Sequence, residues 1–284
     1  MKNNFITITL SNSERQSFAL DLKKLELKDN SSIENLDAFI LLQDLEKITI
    51  INCENFKDLL VLGSFKKLRK LTIENCDSIT DLSSINNVPS LRRLKCRFQN
   101  LEVLRTLKDN PYLKILSLTE RNCISRFELL QGNFLIVKFI TPEIIDLSPI
   151  ESLHQITKLE VLYSNYLKNI NTLNKVNNLQ FICLSHCTEL SNLNPLKNLD
   201  ILKELELSNC DKIKNTETLF EIKQLETLNI IECYGISTIK IKNDNFSIKS
   251  LTISGCKNLS RINQINKLKS LHQLQIESYL NNFQ

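Results

Sequence analysis

One spacing of apolar residues recurs along nearly the whole chain and restricts the folds open to it. From Leu202, in the stretch LKELELSNC, leucines follow at offsets of three and five and a cysteine at offset eight. The same frame begins at Leu22, Leu45, Leu68, Leu91, Leu113, Ile136, Leu159, Leu179, Leu225, Ile248 and Leu271. Most steps are 23 residues, and two are shorter, at 22 and 20. Such a period predicts a repeat architecture, in which each unit buries its apolar stripe against its neighbours.

Each repeat combines two hydrophobic periods. Apolar residues at offsets three and five alternate with polar ones, as in Leu205-Glu206-Leu207, which is the period of a short β-strand. After offset eight the apolar spacing becomes three, as from Ile79 through Val88. That spacing is typical of 3₁₀ turns, whose i and i+3 side chains eclipse. The predicted unit is therefore a short strand, a turn and a tight helical return.

A cysteine stands at offset eight in half of the repeats. The six are Cys53, Cys76, Cys187, Cys210, Cys233 and Cys256, and other repeats place Asn30, Gln99, Arg121, Ile144 and Leu167 there. A position that accepts both amide and aliphatic side chains predicts buried structural thiols. Zinc needs ligands that converge tetrahedrally, whereas stacked repeats arrange thiols in a line. Stacked side chains also point the same way, which disfavours a disulfide.

The repeat resembles the leucine-rich repeat signature L-x-x-L-x-L-x-x-[N/C]-x-L. Two stretches carry the resemblance, LRKLTIENCDSITDLSSI (68–85) and EIIDLSPIESLHQITKLEVL (143–162). These repeats of about 23 residues are similar to bacterial internalin-type and cysteine-containing repeats. It implies an α/β fold, a leucine-rich repeat solenoid (horseshoe) with a parallel β-sheet on the concave face and short 3₁₀ or helical turns on the convex face.

The chain ends are expected to differ from the repeats. We expect an N-terminal cap over residues 1–21 and a solenoid over 22–284, with about 11 full repeats and a partial last one. In the cap, FITITL alternates like a strand, and SERQSFALD is predicted to be a helical or turn connector. The tail ESYLNNFQ either forms a partial cap or leaves the last strand edge free.

The composition argues against several functional classes. A net charge of +4 over 284 residues is too small for general attraction to nucleic acid or membrane, and four glycines leave little room for a phosphate-binding loop. Because MKNNFITITLSNSERQ lacks a long apolar run and a small-residue cleavage site, we expect no secretory signal, and no apolar run in the sequence reaches about 18 residues. We expect a cytoplasmic protein, or one in the host cytosol if it is a bacterial effector secreted by a non-classical route.

No catalytic residues, metal or cofactors are expected. The chain has three histidines, and Cys183 with His186 is the one Cys/His pair predicted on the concave face. Three residues of extended strand, at about 3.3 Å each, separate them too far for the direct hydrogen bond that activates a nucleophile.

Residues at offsets two, four and six are predicted to point out of the concave sheet. Read in that order, the exposed columns run from basic, through aromatic and apolar, to acidic residues. Aromatic side chains flanked by charge are typical of a protein-binding hot spot with a polar rim. The alternative is that Tyr163 and Phe181 only pack on each other as a cross-strand pair. The predicted contact residues are Arg93, Lys95, Arg97, Phe98, Ile115, Lys138, Ile140, Val161, Tyr163, Tyr166, Phe181, Cys183, Glu204 and Glu206.

These features predict a non-catalytic, monomeric module that binds another protein with an acidic patch. By analogy, it would sterically inhibit or regulate another effector or a host enzyme. One alternative is an adaptor that recruits substrates to a multi-subunit enzyme such as a ubiquitin ligase. Another is a nucleic-acid-binding module that uses the N-terminal basic patch, which Glu26 and Glu74 interrupt. No membrane association is expected.

Overall fold

The protein consists of short strands and 3₁₀ segments in regular alternation. The computed structural model describes residues 5–9, 15–99, 101–107, 110–119, 133–141 and 144–277, without the side chains of 101, 102 and 149. The chain divides into two compact units, Met1–Phe134 and Leu135–Gln284. Within the described part of the chain, no helix is both long and apolar enough to span a membrane.

The described residues of the first unit form a hairpin and five parallel strands. In the hairpin, β1 (Phe5–Thr9) and β2 (Arg15–Ala19) pair antiparallel. The parallel strands, each paired with the next, are β3 (Lys24–Lys28), β4 (Lys47–Ile51), β5 (Lys70–Glu74), β6 (Arg93–Arg97) and β7 (Ile115–Thr119). The 3₁₀ segments are Asp37–Phe39, Leu60–Ser64, Ser83–Asn87 and Leu101–Thr106.

In the second unit, the part of the chain that the structure describes forms seven strands of the same kind and a small second sheet. The seven, paired in parallel in this order, are β8 (Ile136–Ile140), β9 (Lys158–Leu162), β10 (Phe181–Ser185), β11 (Glu204–Ser208), β12 (Thr227–Ile231), β14 (Ser250–Ser254) and β16 (Gln273–Glu277). The small sheet pairs β13 (Thr238–Lys240) with β15 (Arg261–Asn263). The 3₁₀ segments are Ser148–Ser152, Asn171–Lys175, Asn194–Asn198, Glu217–Glu221 and Ile265–Lys267.

The two apolar positions of each strand from β3 to β12, and of β14, fill the core, as the alternation predicts, whereas in β16 Leu274 is exposed and Ile276 half-buried. In β11, Leu205 and Leu207 are buried while Glu204 is exposed. Burying one leucine stabilises the fold by roughly 1.5–3 kcal/mol before the entropy cost is subtracted. A slip of one residue would expose both leucines, so the alternation fixes the register of the strands. The predicted fold class, a parallel sheet with short 3₁₀ returns, is confirmed.

At most of the described 3₁₀ segments, an Asp or Asn side chain two residues before the segment accepts a hydrogen bond from its first N–H. Asn169 Oδ1 accepts a hydrogen bond from the Asn171 N–H at 2.8 Å, and Asp81 Oδ1 accepts one from the Ser83 N–H at 2.7 Å. The same contact recurs at Asn35, Asp58, Asp146, Asn192 and Asn215. Each bond satisfies a backbone donor that the short helix leaves unpaired.

The six cysteines at offset eight form a buried ladder of free thiols. Each thiol has two carbonyl acceptors, one in the preceding repeat and one two residues earlier in its own. For Cys210 these are Leu184 O at 3.5 Å and Ser208 O at 3.4 Å. All six are at most 1% exposed. The predicted structural role of the ladder is confirmed.

The strand pairing corrects two predicted repeat starts. Phe181 lies at offset two of its repeat and faces Lys158, which in turn faces Ile136. The repeat predicted to begin at Leu159 therefore begins three residues earlier, and the one predicted to begin at Ile136 begins two residues earlier. The spacing of three that marks a repeat start also occurs within the turns, so an even step of 23 led to the wrong register.

The corrected register changes the occupant of the cysteine position. Ser164, not Leu167, stands there, and its buried hydroxyl donates to Thr141 O at 2.8 Å. Leu167 and Ile144 are buried in the turns instead. Arg121 lies outside the described residues.

The N-terminal connector is a strand, contrary to the prediction of a helix or turn. Residues 15–19 pair with β1, whose own strand character was predicted. Phe18 of β2 packs edge-on against Phe39 with ring centroids 5.5 Å apart. Pairing with β1 satisfies the backbone of the connector, which is why it does not turn. The tail beyond residue 277 lies outside the described residues.

Candidate functional site

The exposed face of the second unit carries two clusters, one at each end of its strands. Side chains at offsets two, four and six point away from the core, and offset seven follows the strand. We call these residues of β8 to β12 the outward face of the second unit. Phe181 is the first residue of β10, whereas Tyr163 follows the last residue of β9. At about 3.3 Å per residue, the strand separates them by roughly 16 Å.

At the strand starts, one carboxylate joins two lysines beside an aromatic ring. Glu160 lies 2.8 Å from Lys138 Nζ and 2.9 Å from Lys158 Nζ. Burial raises the pKa of Glu160, but hydrogen bonds from Lys138 and Lys158 outweigh it and leave that pKa below its usual range. Lys158 Nζ also lies 4.0 Å from the centre of the Phe181 ring, a cation–π contact. The half-buried Phe181 therefore has a charged edge.

Cys183 lies between two carboxylates in the same part of the face. Its register partners are Glu160 on β9 and Glu206 on β11, and its side chain is 8% exposed. Burial, together with the negative charges of Glu206 and Glu160, raises the pKa of Cys183 to about 12. The thiol is therefore protonated at neutral pH, which makes it a poor nucleophile.

At the strand ends, the exposed ring of Tyr163 lies against the half-buried ring of His186. Their ring centroids are 4.7 Å apart at an interplanar angle of 34°. His186 Nδ1 lies 2.9 Å from Ser185 Oγ, which accepts a hydrogen bond from Ser208 Oγ at 2.8 Å. The serines therefore fix the imidazole that supports the tyrosine. Tyr163 itself is 53% exposed.

Both rings stand on left-handed backbone. Tyr163 has φ 59° and His186 φ 54°. The other described residues with positive φ at offset seven are Asp29, Asn52, Asn75, Asn209, Glu232 and Gly255. Asn, Asp and Gly tolerate this conformation best, and a large aromatic residue there is an outlier. The sequence shows the column as the residue before the cysteine, in INC, ENC, SHC and SNC, a signal that the assignment of outward residues missed.

Several predicted contact residues lie elsewhere. Val161 is wrong as a surface residue because it is a core position of β9, with 0% exposure. Phe98 is also buried, because its ring turns into the core after β6. Tyr163 and Phe181 do not pack on each other, which removes the alternative of a cross-strand pair. Tyr166 is exposed in the loop after β9 rather than on the strand.

The remaining predicted residues lie on outward strand positions. In the second unit, Glu204 is exposed, and Lys138, Ile140 and Glu206 are half-buried. In the first unit, Arg93 and Lys95 are exposed and Arg97 and Ile115 are half-buried. Lys95 Nζ lies 2.7 Å from Glu74 Oε1.

The described side chains include no metal-binding group. No set of three or more His, Cys, Asp and Glu side chains within the described ranges could hold a metal ion.

Comparison with solved structures identifies the fold. An internalin, InlF from Listeria monocytogenes, matches with a TM-score of 0.56 and 18% identity over 94% of this chain and 91% of that chain. The functional domain of InlJ from Listeria monocytogenes, described as including a cysteine ladder, matches with a TM-score of 0.50 and 18% identity over 94% and 67%. The leucine-rich repeat domain of the type III effector XopL has a TM-score of 0.42 and 19% identity over 90% and 78%.

Sequence comparison gives no further identity. Neither a scan of protein-family models nor a search of curated proteins finds a match. Identities below 20% to the solved structures show the fold alone. The chain has the leucine-rich repeat fold that its spacing predicts, and internalins are among the structures that share it.

Proposed function

We propose that the outward face of the second unit binds another protein and that the chain acts through this binding rather than through catalysis. The observation that carries the proposal is the Tyr163–His186 pair. A half-exposed tyrosine occupies a backbone conformation that costs about 1 kcal/mol or more for a residue of its size. Asparagine holds the same position in three other repeats at no such cost. An exposed, rigid ring at a position that the fold does not need it to fill is suited to an interface.

The surroundings of the pair support the same proposal. Phe181 offers a second aromatic surface, and the ion pairs of Glu160 with Lys138 and Lys158 border it. Protein interfaces combine aromatic anchors with a polar rim that excludes water. The raised pKa of Cys183 argues against this cysteine as a nucleophile.

A face that acts by binding alone changes a partner's activity by covering, holding or relocating that partner. We therefore propose steric regulation of a partner enzyme or effector, with recruitment of a substrate to a larger enzyme as the second candidate. The described cysteines are all free thiols, which favours a reducing compartment such as the cytosol.

The test is partner capture with variants that keep the fold. Wild-type protein, Tyr163→Asn and Phe181→Ala are immobilised separately, captured proteins are identified by mass spectrometry, and the affinity of each purified candidate is measured. Each substitution should weaken binding of a true partner by about 2 kcal/mol or more. The matched control is Phe246→Ala, which removes a ring that is 72% exposed but lies in a loop off this face.

Equal affinity of all four proteins for every captured partner would overturn the proposal. Thermal melting of each variant separates loss of the face from loss of the fold.

A further inference from the structure

Four cationic side chains form a continuous row across the first unit. Lys24, Lys47, Lys70 and Arg93 all occupy offset two, and each faces the next across adjacent parallel strands. We call these four residues the basic row. Neighbouring strands lie about 4.8 Å apart, so the row spans roughly 14 Å over three intervals.

The fold gains nothing from this arrangement. Like charges directly opposite each other on neighbouring strands are destabilising. Within the described residues, Lys47 alone in the row forms an ion pair, with Glu26 Oε1 at 3.9 Å, and the same carboxylate interacts more weakly with Lys24. That carboxylate lies closer to Lys28, at 2.8 Å. Four adjacent cations with so little internal compensation indicate that an external anion balances them.

The dimensions of the row select the occupant. On an α-helix, acidic residues at i, i+3, i+7 and i+10 lie on one face and, at 1.5 Å per residue, span about 15 Å. Alternate residues of an extended chain would spread four charges over roughly 20 Å. Four successive phosphates of one B-form DNA strand advance about 10 Å along the axis. The helix matches the row best.

We infer that the basic row binds an acidic face of an α-helix in a partner protein. This inference rests on the proposed function, because it also requires a protein partner on the outward side of the strands. It adds the chemistry of that partner. The four carboxylates replace the missing counter-charges, one for each strand. Arg69, exposed and next to Lys70, adds a further cation at the edge of the row.

The experiment uses a labelled, Ala-rich synthetic helix with Glu at i, i+3, i+7 and i+10, and fluorescence anisotropy at low salt. A comparison peptide of identical composition carries the four Glu at alternate positions, which distributes them around the helix. A single-stranded RNA oligonucleotide is the third probe. Three forms of the full chain are tested. They are the wild type, a triple variant that combines Lys47→Glu, Lys70→Glu and Arg93→Glu, and the triple variant with alanine at the same three positions.

The matched control reverses the same number of charges away from the row. Lys66, Lys214 and Lys240 are exposed, and replacing each by Glu gives the same change in net charge. We expect the one-faced helix to bind about tenfold more tightly than the comparison peptide, and the row variants to lose about tenfold or more, since each exposed pair contributes modestly. The control variant should bind nearly as well as wild type.

Equal binding of both peptides, equal loss in row and control variants, or tighter binding of RNA than of the one-faced helix would each overturn the inference. The two proposals fail separately. If the helix does not bind while partner capture still depends on Tyr163, the proposed function stands and this inference falls. If the helix binds and no partner depends on Tyr163 or Phe181, the inference about the basic row holds and the proposed function is wrong.

Discussion

Replacing Tyr163 by asparagine should remove an exposed ring at almost no cost to stability. Tyr163 has φ 59°, and Asn52, Asn75 and Asn209 hold the equivalent position at 54°, 54° and 52°. Asparagine adopts left-handed backbone more readily than other residues that carry a Cβ. Relief of the strain at Tyr163 therefore returns about 1 kcal/mol to the folded state.

The loss of the ring contact opposes that gain. The Tyr163 and His186 centroids are 4.7 Å apart, and such a pair contributes about 0.5–1.5 kcal/mol. Tyr163 is already 53% exposed, so little other burial is lost. The two effects nearly cancel, and we expect the free energy of unfolding of Tyr163→Asn to stay within about 1 kcal/mol of wild type. Alanine loses the ring without relieving the backbone, so Tyr163→Ala should be destabilised by about 1–2 kcal/mol.

Urea unfolding followed by circular dichroism measures the order of the variants. Glycine also relieves the backbone, so the expected order at this position is Asn and Gly above Ala, the reverse of the order of Ala and Gly inside a regular strand or helix. Midpoints are compared at equal m-values, since a changed m would report a change in the unfolded or native ensemble. An alanine variant as stable as the asparagine and glycine variants would refute the strain at this position and with it the main argument for an interface.

Three further outcomes follow from the core and the thiols. Gly235→Ala should lower the free energy of unfolding by about 1–3 kcal/mol, because a Cβ there would lie 2.0 and 2.6 Å from two backbone carbonyl oxygens. The control is Gly63→Ala, which should be nearly neutral in urea unfolding because the nearest atom to a Cβ there is 3.6 Å away. Cys210→Ala should cost about 1–2 kcal/mol through lost packing and the loss of the two thiol hydrogen bonds, and an unchanged midpoint would contradict the ladder's structural role. Burial raises the pKa of Cys256 to about 11 and that of Cys183 to about 12, above the ordinary thiol value of 9.0. The contribution of these two protonated thiols to the free energy of unfolding is complete below pH 9 and is lost as the pH rises toward 11 to 12. In a double variant with Cys183→Ala and Cys256→Ala, alkaline unfolding should therefore shift to higher pH when it is measured against the variant's own stability at neutral pH.

The strand and core positions could be predicted because two independent sequence signals mark them, the apolar alternation and the cysteine at offset eight. In LKELEL the alternation gives Leu205 and Leu207 as core residues, and the cysteine at offset eight confirms the register three residues later. Both signals are present wherever the repeat ends in a cysteine. The structure places these residues as predicted because burial of the two apolar positions leaves one register.

The register between residues 136 and 167 could not be predicted in the same way. Ser164 replaces the cysteine there, so the second signal is absent, and Leu159, Leu162 and Leu167 mimic the spacing of a repeat start. The error moved Val161 from the core to the surface and placed Tyr163 beside Phe181. The pairings of Lys158 with Phe181 and of Ile136 with Lys158 resolve the register, because hydrogen bonds between strands do not depend on side-chain spacing.

In several repeats the column at offset seven carries different side chains on the same left-handed backbone. In the first three repeats of the first unit it is a polar ladder, where Asn52 Nδ2 donates to Asp29 Oδ1 at 2.6 Å and Asn75 Nδ2 donates to Asn52 Oδ1 at 2.7 Å, whereas Phe98 at the same offset is buried. In the second unit the same backbone carries Tyr163 and His186, and their N–H groups still donate to the next repeat at 2.8 Å. The backbone bonds of the column therefore do not depend on its side chains. Because of that independence, two adjacent repeats can present aromatic rings to a partner while the sheet beneath them keeps the hydrogen bonds of its neighbours.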